Sequence, residues 1–468
     1  MLFPTLTFGL FFCCVFAAHL VLLRHPAPRK LLLLSASYLF YGAWDWRFCF
    51  LLLASSVVNY IAGNWLRGAD SPGRKRWILI GCIAINLIVL GFFKYYGFFV
   101  ESLAELLFQI GWQRDLLFLD VILPVGISFF TFQGISYAVD TYRNKIPQRP
   151  GAVDVLLYIS FFPQLVAGPI VRAAHFLPQL AARAPTRIAA TFGMVLISWG
   201  LFKKVVVATY LAEQIVDPVF FDPLGYGTLD VLAAVYAYAF QIYCDFSAYS
   251  DIAIGVAALL GFEFPRNFDQ PYRAASLREF WRRWHISLST WLRDYLYIPM
   301  GGGRGGPRRT YRNLFLTMLL GGLWHGAAWK FVAWGALHGA GLGIERAVRA
   351  ANWGVVARVP VWLRIVLIFQ FVCVGWILFR AESFALAMDV FAALGQTDLE
   401  LMLLSPFVVG LMLLGAIMQF TPGRTLQMVE RGCARLPLLV QGALFGFVVV
   451  LIDALGVEGV APFIYFQF

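Results

Sequence analysis

Ten long apolar stretches constrain this chain more than any other feature of its sequence. A helix needs about 20 apolar residues to cross the hydrocarbon core of a bilayer, and runs near that length recur throughout the 468 residues. Hydrophobic residues make up 60% of the chain and charged residues only 13%, which leaves too little polar surface to cover a soluble protein. The sequence therefore predicts an all-α polytopic membrane protein with about ten transmembrane helices. The stretches lie at about 5–23, 31–44, 48–66, 77–98, 119–139, 188–210, 229–260, 361–379, 402–420 and 437–455.

Basic and acidic loops alternate along these stretches. Basic loops lie on the cytoplasmic side of membrane proteins, so the alternation puts 262–312 in the cytoplasm and both termini outside it. The net charge of +11 follows from this bias and does not indicate a nucleic-acid binder. No basic residue precedes the first stretch and no small-residue cleavage site precedes Arg24, so we expect a retained span rather than a signal peptide.

Two apolar segments, 154–170 and 313–345, do not fit as ordinary spans because basic loops flank each of them on both sides. The segment 313–345 is too short for two crossings and contains the glycine-rich run GGLWHGA at 321–327. We expect a broken or re-entrant element with His325 near its tip. Non-helical backbone at membrane depth needs surrounding protein or a water-filled cavity, so His325 is expected to face a cavity.

His325 is the strongest catalytic candidate, because an ionisable group inside a membrane segment marks function by default. A neutral imidazole can take a proton from a hydroxyl or thiol and return it. The alternative is a histidine that only hydrogen-bonds at a helix break. His285 is the second candidate, although an interfacial histidine among arginines is often merely solvated. His338 is expected to serve helix packing.

Asp245 and Asp251 lie within one apolar stretch and should face protein or water. They line a substrate tunnel or form ion pairs with the arginines at 278–293, and we favour the ion pairs.

The stretch 262–312 carries ten arginines. Within it, Ser276 and Glu279 form a predicted capping box that begins an amphipathic helix carrying Trp281, Trp284, Leu288 and Trp291 on one side. The arginines can bind the phosphates of an anionic cofactor such as coenzyme A, and the alternative is positive-inside bias alone. The candidate phosphate ligands are Arg282, Arg283, Arg308, Arg309 and Arg312.

Neither a metal site nor a disulfide framework is expected from the seven cysteines, which show no CxxC spacing.

Several blocks of sequence resemble the membrane-bound O-acyltransferase family, and in particular its bacterial branch that acetylates exported polysaccharides such as alginate and cellulose. Together they cover most of the chain between 120 and 345. The blocks are LPVGISFFTFQ at 123–133, residues 158–171, GLFKK at 200–204, residues 241–251, FWRRWHISLSTWLRDYLYIP at 280–299, GGLWHGA at 321–327 and the ending 463–468.

The resemblance implies that His325 is the family's essential intramembrane histidine and that His285 occupies its second signature position. It implies a ring of helices around a tunnel, with Trp324 and the two aspartates as candidate lining residues. The core would span 119–345, between N-terminal helices at 1–118 and C-terminal helices at 346–468 of a single membrane domain.

The resemblance also implies a reaction and partners. The acyl donor would be acetyl-CoA, with no bound cofactor. The partners would be periplasmic acetyltransfer proteins similar to SGNH hydrolases, the polysaccharide export complex and membrane lipid. The setting would be the bacterial inner membrane, and the acetylated polymer, alginate or cellulose, is left open.

Two other functions remain open at this point. A transporter or export component would use His325, Asp245 and Asp251 as a proton relay, although we find none of the repeated halves that many transporters show. A non-catalytic scaffold would tolerate replacement of His325.

Overall fold

The computed structural model describes residues 3–112, 119, 121–166, 168–182, 188–351 and 358–457. These residues form helices and their connections, and no β-strand occurs among them, which confirms the predicted all-α class. The final block of the family resemblance, 463–468, lies outside the described residues. The helices of at least nine residues are Leu6–Val21, Pro26–Asp45, Arg47–Gly68, Pro72–Gln109, Ile127–Tyr142, Ala152–Ser160, Ala173–Ala181, Ala190–Leu201, Thr228–Leu259, Pro307–His325, Trp329–Ala350, Val361–Arg380, Phe384–Ala393, Pro406–Phe420, Arg424–Cys433 and Leu438–Ala454.

Every predicted apolar stretch overlaps a helix, but fewer of these helices than expected are long and apolar enough to span a bilayer. Five of the described helices qualify, and a sixth does if Pro406–Phe420 and Arg424–Cys433, bent by 94°, form one broken span. Helices of 16 residues such as Leu6–Val21 are about 24 Å long at 1.5 Å per residue, less than the hydrocarbon core of about 30 Å. The five are Arg47–Gly68, Pro72–Gln109, Ala190–Phe221, Thr228–Leu259 and Val361–Arg380.

The chain divides into two compact units. The first comprises Met1–Ile188 and Ala257–Phe264. The segment 154–170, which did not fit as an ordinary span, forms two short helices there, Ala152–Ser160 and Phe162–Leu165. Phe161 between them is fully buried, with its ring 5.1 Å from the rings of Phe176 and Phe262.

The second unit comprises Ala189–Val256 and Pro265–Phe468 and contains all the candidate site residues. Its helix Thr228–Leu259 is almost wholly buried by protein. The helical segment Ala190–Phe221 contains two π-helical turns, Phe202–Ala208 and Ala212–Val216. The sequence predicts three parts of one domain, 1–118, 119–345 and 346–468. The two units do not follow these bounds, and the three-part division stays a prediction.

Candidate active site

His325 lies at the turn of a helical hairpin, which we call the histidine hairpin, formed by Pro307–His325 and Trp329–Ala350. The predicted break in the segment 313–345 is confined to the three residues between the two helices. The helices themselves are continuous over 19 and 22 residues. The glycines serve helix packing. A Cβ on Gly322 would collide with the carbonyl oxygen of Phe331, and one on Gly335 would lie 2.6 Å from the carbonyl oxygen of Met318. Small residues therefore bring the two backbones into contact.

The imidazole of His325 is held among aromatic side chains at this turn. It is 4% exposed, and its ring centroid lies 5.0 Å from Trp334 and 5.2 Å from Phe379, both in edge-to-face geometry. Trp324, the preceding residue, packs edge-on at 5.1 Å. Such contacts limit the rotation of the ring, which favours a fixed orientation toward a substrate.

A cavity of about 680 Å³ extends from His325 along the histidine hairpin. Its inner part is mainly apolar, and one stripe of the helix Pro307–His325 lines it through Thr317, Met318, Gly321 and His325. Residues three or four apart share a helix face, so this stripe forms one continuous wall. The remaining inner lining includes Trp281, Ile286, Leu288, Leu292 and Trp334.

The other end of the cavity carries a group of cationic side chains, which we call the arginine rim. One acidic residue, Glu345, lies among them. Trp334 and Arg346 are twelve residues apart on one helix, so the rim begins about 18 Å from the His325 end. An elongated ligand with anionic groups at one end and a reactive group at the other matches this arrangement. The rim consists of Arg278, Arg282, Arg346 and Arg349. Arg293 also lines the cavity, and its Nε donates to Asp294 at 2.7 Å.

The five predicted phosphate ligands are not all at this cavity. Arg282 lines it, whereas Arg283 pairs with Glu279 at 2.8 Å and with Asp269 at 3.3 Å. Arg283 also lines a second cavity of about 430 Å³, which shares Arg278, Arg282 and Arg349 with the first. The other three predicted ligands are exposed and line neither cavity; they are Arg308, Arg309 and Arg312.

The amphipathic helix predicted from Ser276 is interrupted at His285. Ser276 Oγ accepts a hydrogen bond from the Glu279 amide at 3.1 Å, as the capping prediction required. The Glu279 carboxylate, however, accepts from the amide of Ala275 rather than that of Ser276. The first helix ends at Arg283 and a second runs over Ile286–Leu292, because His285 adopts the left-handed conformation at φ 42° and ψ 57°.

His285 is fully buried and does not line the cavity. Its ring packs edge-on against Phe246 at 4.6 Å and against Trp324 at 6.1 Å. Trp324 therefore contacts the rings of both candidate histidines. Sequence reasoning gave no signal for Asn267, whose side chain lies 3.2 Å from Nδ1 of His285.

His338 is also fully buried, and Trp334 packs against the rings of both His338 and His325. Its surroundings are aromatic, with Trp281 at 5.2 Å and Phe371 at 5.5 Å. This environment supports the packing role expected for His338.

The two intramembrane aspartates pair with lysines, not with the arginines at 278–293 that the sequence favours. Lys204 Nζ lies 2.7 Å from Asp245, and Lys203 Nζ lies 2.7 Å from Asp251. Neither aspartate lines either of the two cavities described above. The pairing residues are 41 and 48 positions apart, so no local pattern identified them.

No group of three potential metal ligands occurs among the residues that the structure describes.

Comparison with known proteins gives the chain its family. The family model for membrane-bound O-acyltransferases matches residues 140–387, which include every candidate site residue. The chain is 45% identical over 370 residues to "Probable alginate O-acetylase AlgI" of Azotobacter vinelandii, covering 78% of this chain and 72% of that protein. The protein of the same name in Pseudomonas aeruginosa is 44% identical over 400 residues, which cover 84% and 75%. "Peptidoglycan O-acetyltransferase" of Helicobacter pylori is 37% identical over 401 residues, covering 78% and 74%. The chain is therefore an acyltransferase that belongs to the membrane-bound O-acyltransferase family.

Proposed function

We propose that this protein is an inner-membrane O-acyltransferase that transfers acetyl groups from cytoplasmic acetyl-CoA for the O-acetylation of an exported polysaccharide. The observation that carries the proposal is His325 at the inner end of a cavity whose other end bears the arginine rim. The names of the reported relatives favour alginate over cellulose as the polymer. Periplasmic acetyltransfer proteins similar to SGNH hydrolases and the export complex are the proposed partners, and both termini are extracytoplasmic in this proposal.

The chemistry requires one proton carrier and a fixed geometry. The imidazole of His325 takes the proton of the acceptor hydroxyl while the oxygen attacks the thioester carbonyl. The carbon–sulfur bond then breaks, and the imidazolium returns the proton to the leaving thiolate. Confinement in the aromatic-lined cavity makes the two reactants effectively intramolecular, which lowers the barrier further.

The alternative of a proton-relay transporter has less support. A relay needs His325, Asp245 and Asp251 along one path. Both aspartates are paired with lysines, and neither lines the cavity that contains His325.

A deletion strain tests the proposed function in the cell. We expect the strain to export its polysaccharide without acetyl esters, and the wild-type gene to restore them. A strain that exports no polymer, or that exports fully acetylated polymer, would contradict the proposal. The assay measures ester content and polymer yield separately, because a transporter would alter the yield.

Removing charge from the arginine rim should weaken donor binding. We expect the triple variant Arg282→Gln, Arg346→Gln and Arg349→Gln to raise the KM for acetyl-CoA at least about tenfold, because the loss of even one hydrogen bond to a charged group costs about 1.5–3 kcal/mol. The value of kcat should change little, since these side chains hold a remote part of the donor. Steady-state kinetics of the purified enzyme measure both constants.

The matched control removes the same charge from Arg308, Arg309 and Arg312, which line neither cavity. Its KM should stay close to the wild-type value. An equal rise in both triple variants would mean that only the overall positive potential matters, and an unchanged KM in the rim variant would exclude the rim as the donor site.

A further inference from the structure

A buried hydrogen-bond cluster surrounds the side chain of Asn267. Asn267, His285 and Ser250 are each no more than 1% exposed. The oxygen Oδ1 of Asn267 lies 3.1 Å from the backbone nitrogen of Ser287, 2.9 Å from Ser287 Oγ and 3.2 Å from His285 Nδ1. The amide nitrogen of the same side chain donates to Ser250 Oγ at 3.0 Å.

The backbone of the same residue holds the strained conformation of His285. The carbonyl oxygen of Asn267 accepts from the amide of Ile286 at 2.8 Å, and Asp269 donates its amide to the carbonyl of Arg283 at 2.9 Å. A left-handed conformation is unfavourable for a residue with a Cβ. These contacts on both sides of His285 maintain it and set the direction of the imidazole.

The orientation of the Asn267 amide follows from its backbone partner. The amide of Ser287 can only donate a hydrogen bond, so the atom facing it must be the acceptor Oδ1. The opposite orientation would point an NH₂ group at this N–H. The same oxygen therefore faces Nδ1 of His285.

The position of the imidazole proton follows in turn. The 2.9 Å contact between Ser287 Oγ and Asn267 Oδ1 needs a proton, which only the hydroxyl can supply. That proton cannot also serve Nδ1 of His285, which lies 3.4 Å from Ser287 Oγ. Nδ1 therefore carries its own proton and donates it to Asn267, and the lone pair of the neutral ring is on Nε2.

The surroundings of His285 favour the neutral ring. The side chains in contact with it are uncharged. Its ring contacts are Phe246, Phe268 and Trp324, and its polar contacts are Asn267 and Ser287. Burial lowers the pKa of His285 to about 3. Its Nε2 is buried and has no hydrogen-bond partner among the residues that the structure describes.

We propose that Asn267 is a positioning residue of the acyl-transfer reaction, which keeps the proton of His285 on Nδ1 and the lone pair on Nε2. This inference rests on the proposed function. In it, His285 does not touch the reactants but acts through Trp324, whose ring packs against the rings of both His285 and His325. A ring protonated on Nδ1 has no donor at Nε2, so His285 does not stabilise the thioester oxyanion.

Nitrogen NMR of the full-length protein tests the tautomer without any activity. The protein is labelled with ¹⁵N-histidine in lipid, and the His285 signals are identified by their loss in a His285→Gln variant. We expect a neutral ring with a proton on Nδ1 and none on Nε2 from mildly acidic to mildly basic pH. A proton on Nε2 would overturn the assignment even if acyl transfer is confirmed, and the expected signals would support it even if the proposed function fails.

Two substitutions of Asn267 test the positioning role. Asn267→Leu removes the acceptor, and we expect kcat to fall about 10–100-fold with little change in the KM for acetyl-CoA, as for other residues that orient a functional side chain. Asn267→Asp keeps an acceptor for the Ser287 amide, the Ser287 hydroxyl and Nδ1 of His285. The hydroxyl of Ser250 can donate to the second carboxylate oxygen. Activity should therefore recover at neutral and basic pH.

The pH profile of Asn267→Asp separates positioning from folding. Its carboxylate favours the imidazolium and raises the pKa of His285, so Nε2 becomes protonated as the pH falls through this higher value. We expect the variant to lose activity at mildly acidic pH where the wild type keeps its activity. An unshifted profile in a folded Asn267→Asp variant, or a leucine variant with normal kcat, would overturn the proposal.

Discussion

Replacing His325 by alanine is expected to abolish acyl transfer while the protein remains inserted and folded. His325 is the last residue of its helix, and its side chain makes ring contacts at the wall of the cavity. Alanine is accommodated at a helix end, so the substitution removes mainly the proton-carrying group. General acid–base catalysis contributes about 10²–10⁴ in rate, which puts residual activity near the detection limit. Acetyl content of the polysaccharide, normalised to the amount of membrane protein, measures the effect.

Three further histidine variants test the interpretation of this result. His325→Gln keeps a similar volume and hydrogen-bonding groups, but its amide cannot take up a proton at neutral pH, so it should fail as well. Activity restored by glutamine would show that His325 only hydrogen-bonds. The matched control is His25→Ala, at an exposed helix start, which should behave as the wild type. His338→Ala should lower stability, because that ring is fully buried among aromatic side chains.

Replacing Lys204 by methionine is expected to destabilise the protein more than any surface substitution. The side chains of Lys204 and Asp245 are 3% and 5% exposed and lie 2.7 Å apart. Removing one partner of a buried pair leaves the other charge uncompensated, which costs about 3–5 kcal/mol. We expect a large drop in the melting temperature of the detergent-purified protein and a lower yield of folded protein.

A double variant separates the charge from the shape of the side chains. Lys204→Met combined with Asp245→Leu removes both charges, and its melting temperature should recover most of the loss, because an apolar pair of similar volume avoids the desolvation cost. The surface pair of Arg47 and Asp45 provides the control, since Arg47 is 61% exposed and Arg47→Met should change the melting temperature far less. A double variant as unstable as Lys204→Met alone would show that the pair contributes through more than charge compensation.

The positions of the helices could be predicted from the sequence because hydropathy is a local property. The stretch 361–379 became the helix Val361–Arg380, and 229–260 became Thr228–Leu259. The start of the fifth helix was predicted too early. It begins at Ile127, because Gly126 before it has a positive φ of 75°.

The break at His285 could not be predicted in the same way. The repeated aromatic and arginine residues favour one continuous amphipathic helix. The break depends on Asn267, which lies 18 residues earlier in the chain and holds His285 through both its backbone and its side chain. Such long-range contacts have no signal in local periodicity.

The composition of the arginine rim also depended on tertiary structure. The density of arginine predicted an anion site in the chain near 278–312, but Arg346 and Arg349 come from the second arm of the histidine hairpin. Which cations share a cavity depends on how the two arms pack, and that depends on the glycines between them.

Acetyl transfer in inside-out membrane vesicles tests the central claim most directly. Vesicles from cells that make the complete export machinery receive acetyl-CoA with a labelled acetyl group at their cytoplasmic face. If the protein transfers acetyl groups through His325, label will move from the thioester to an oxygen ester in wild-type vesicles and not in His325→Ala vesicles that contain equal amounts of the protein. Equal transfer in both preparations, or an intact thioester in the wild type, would contradict the account.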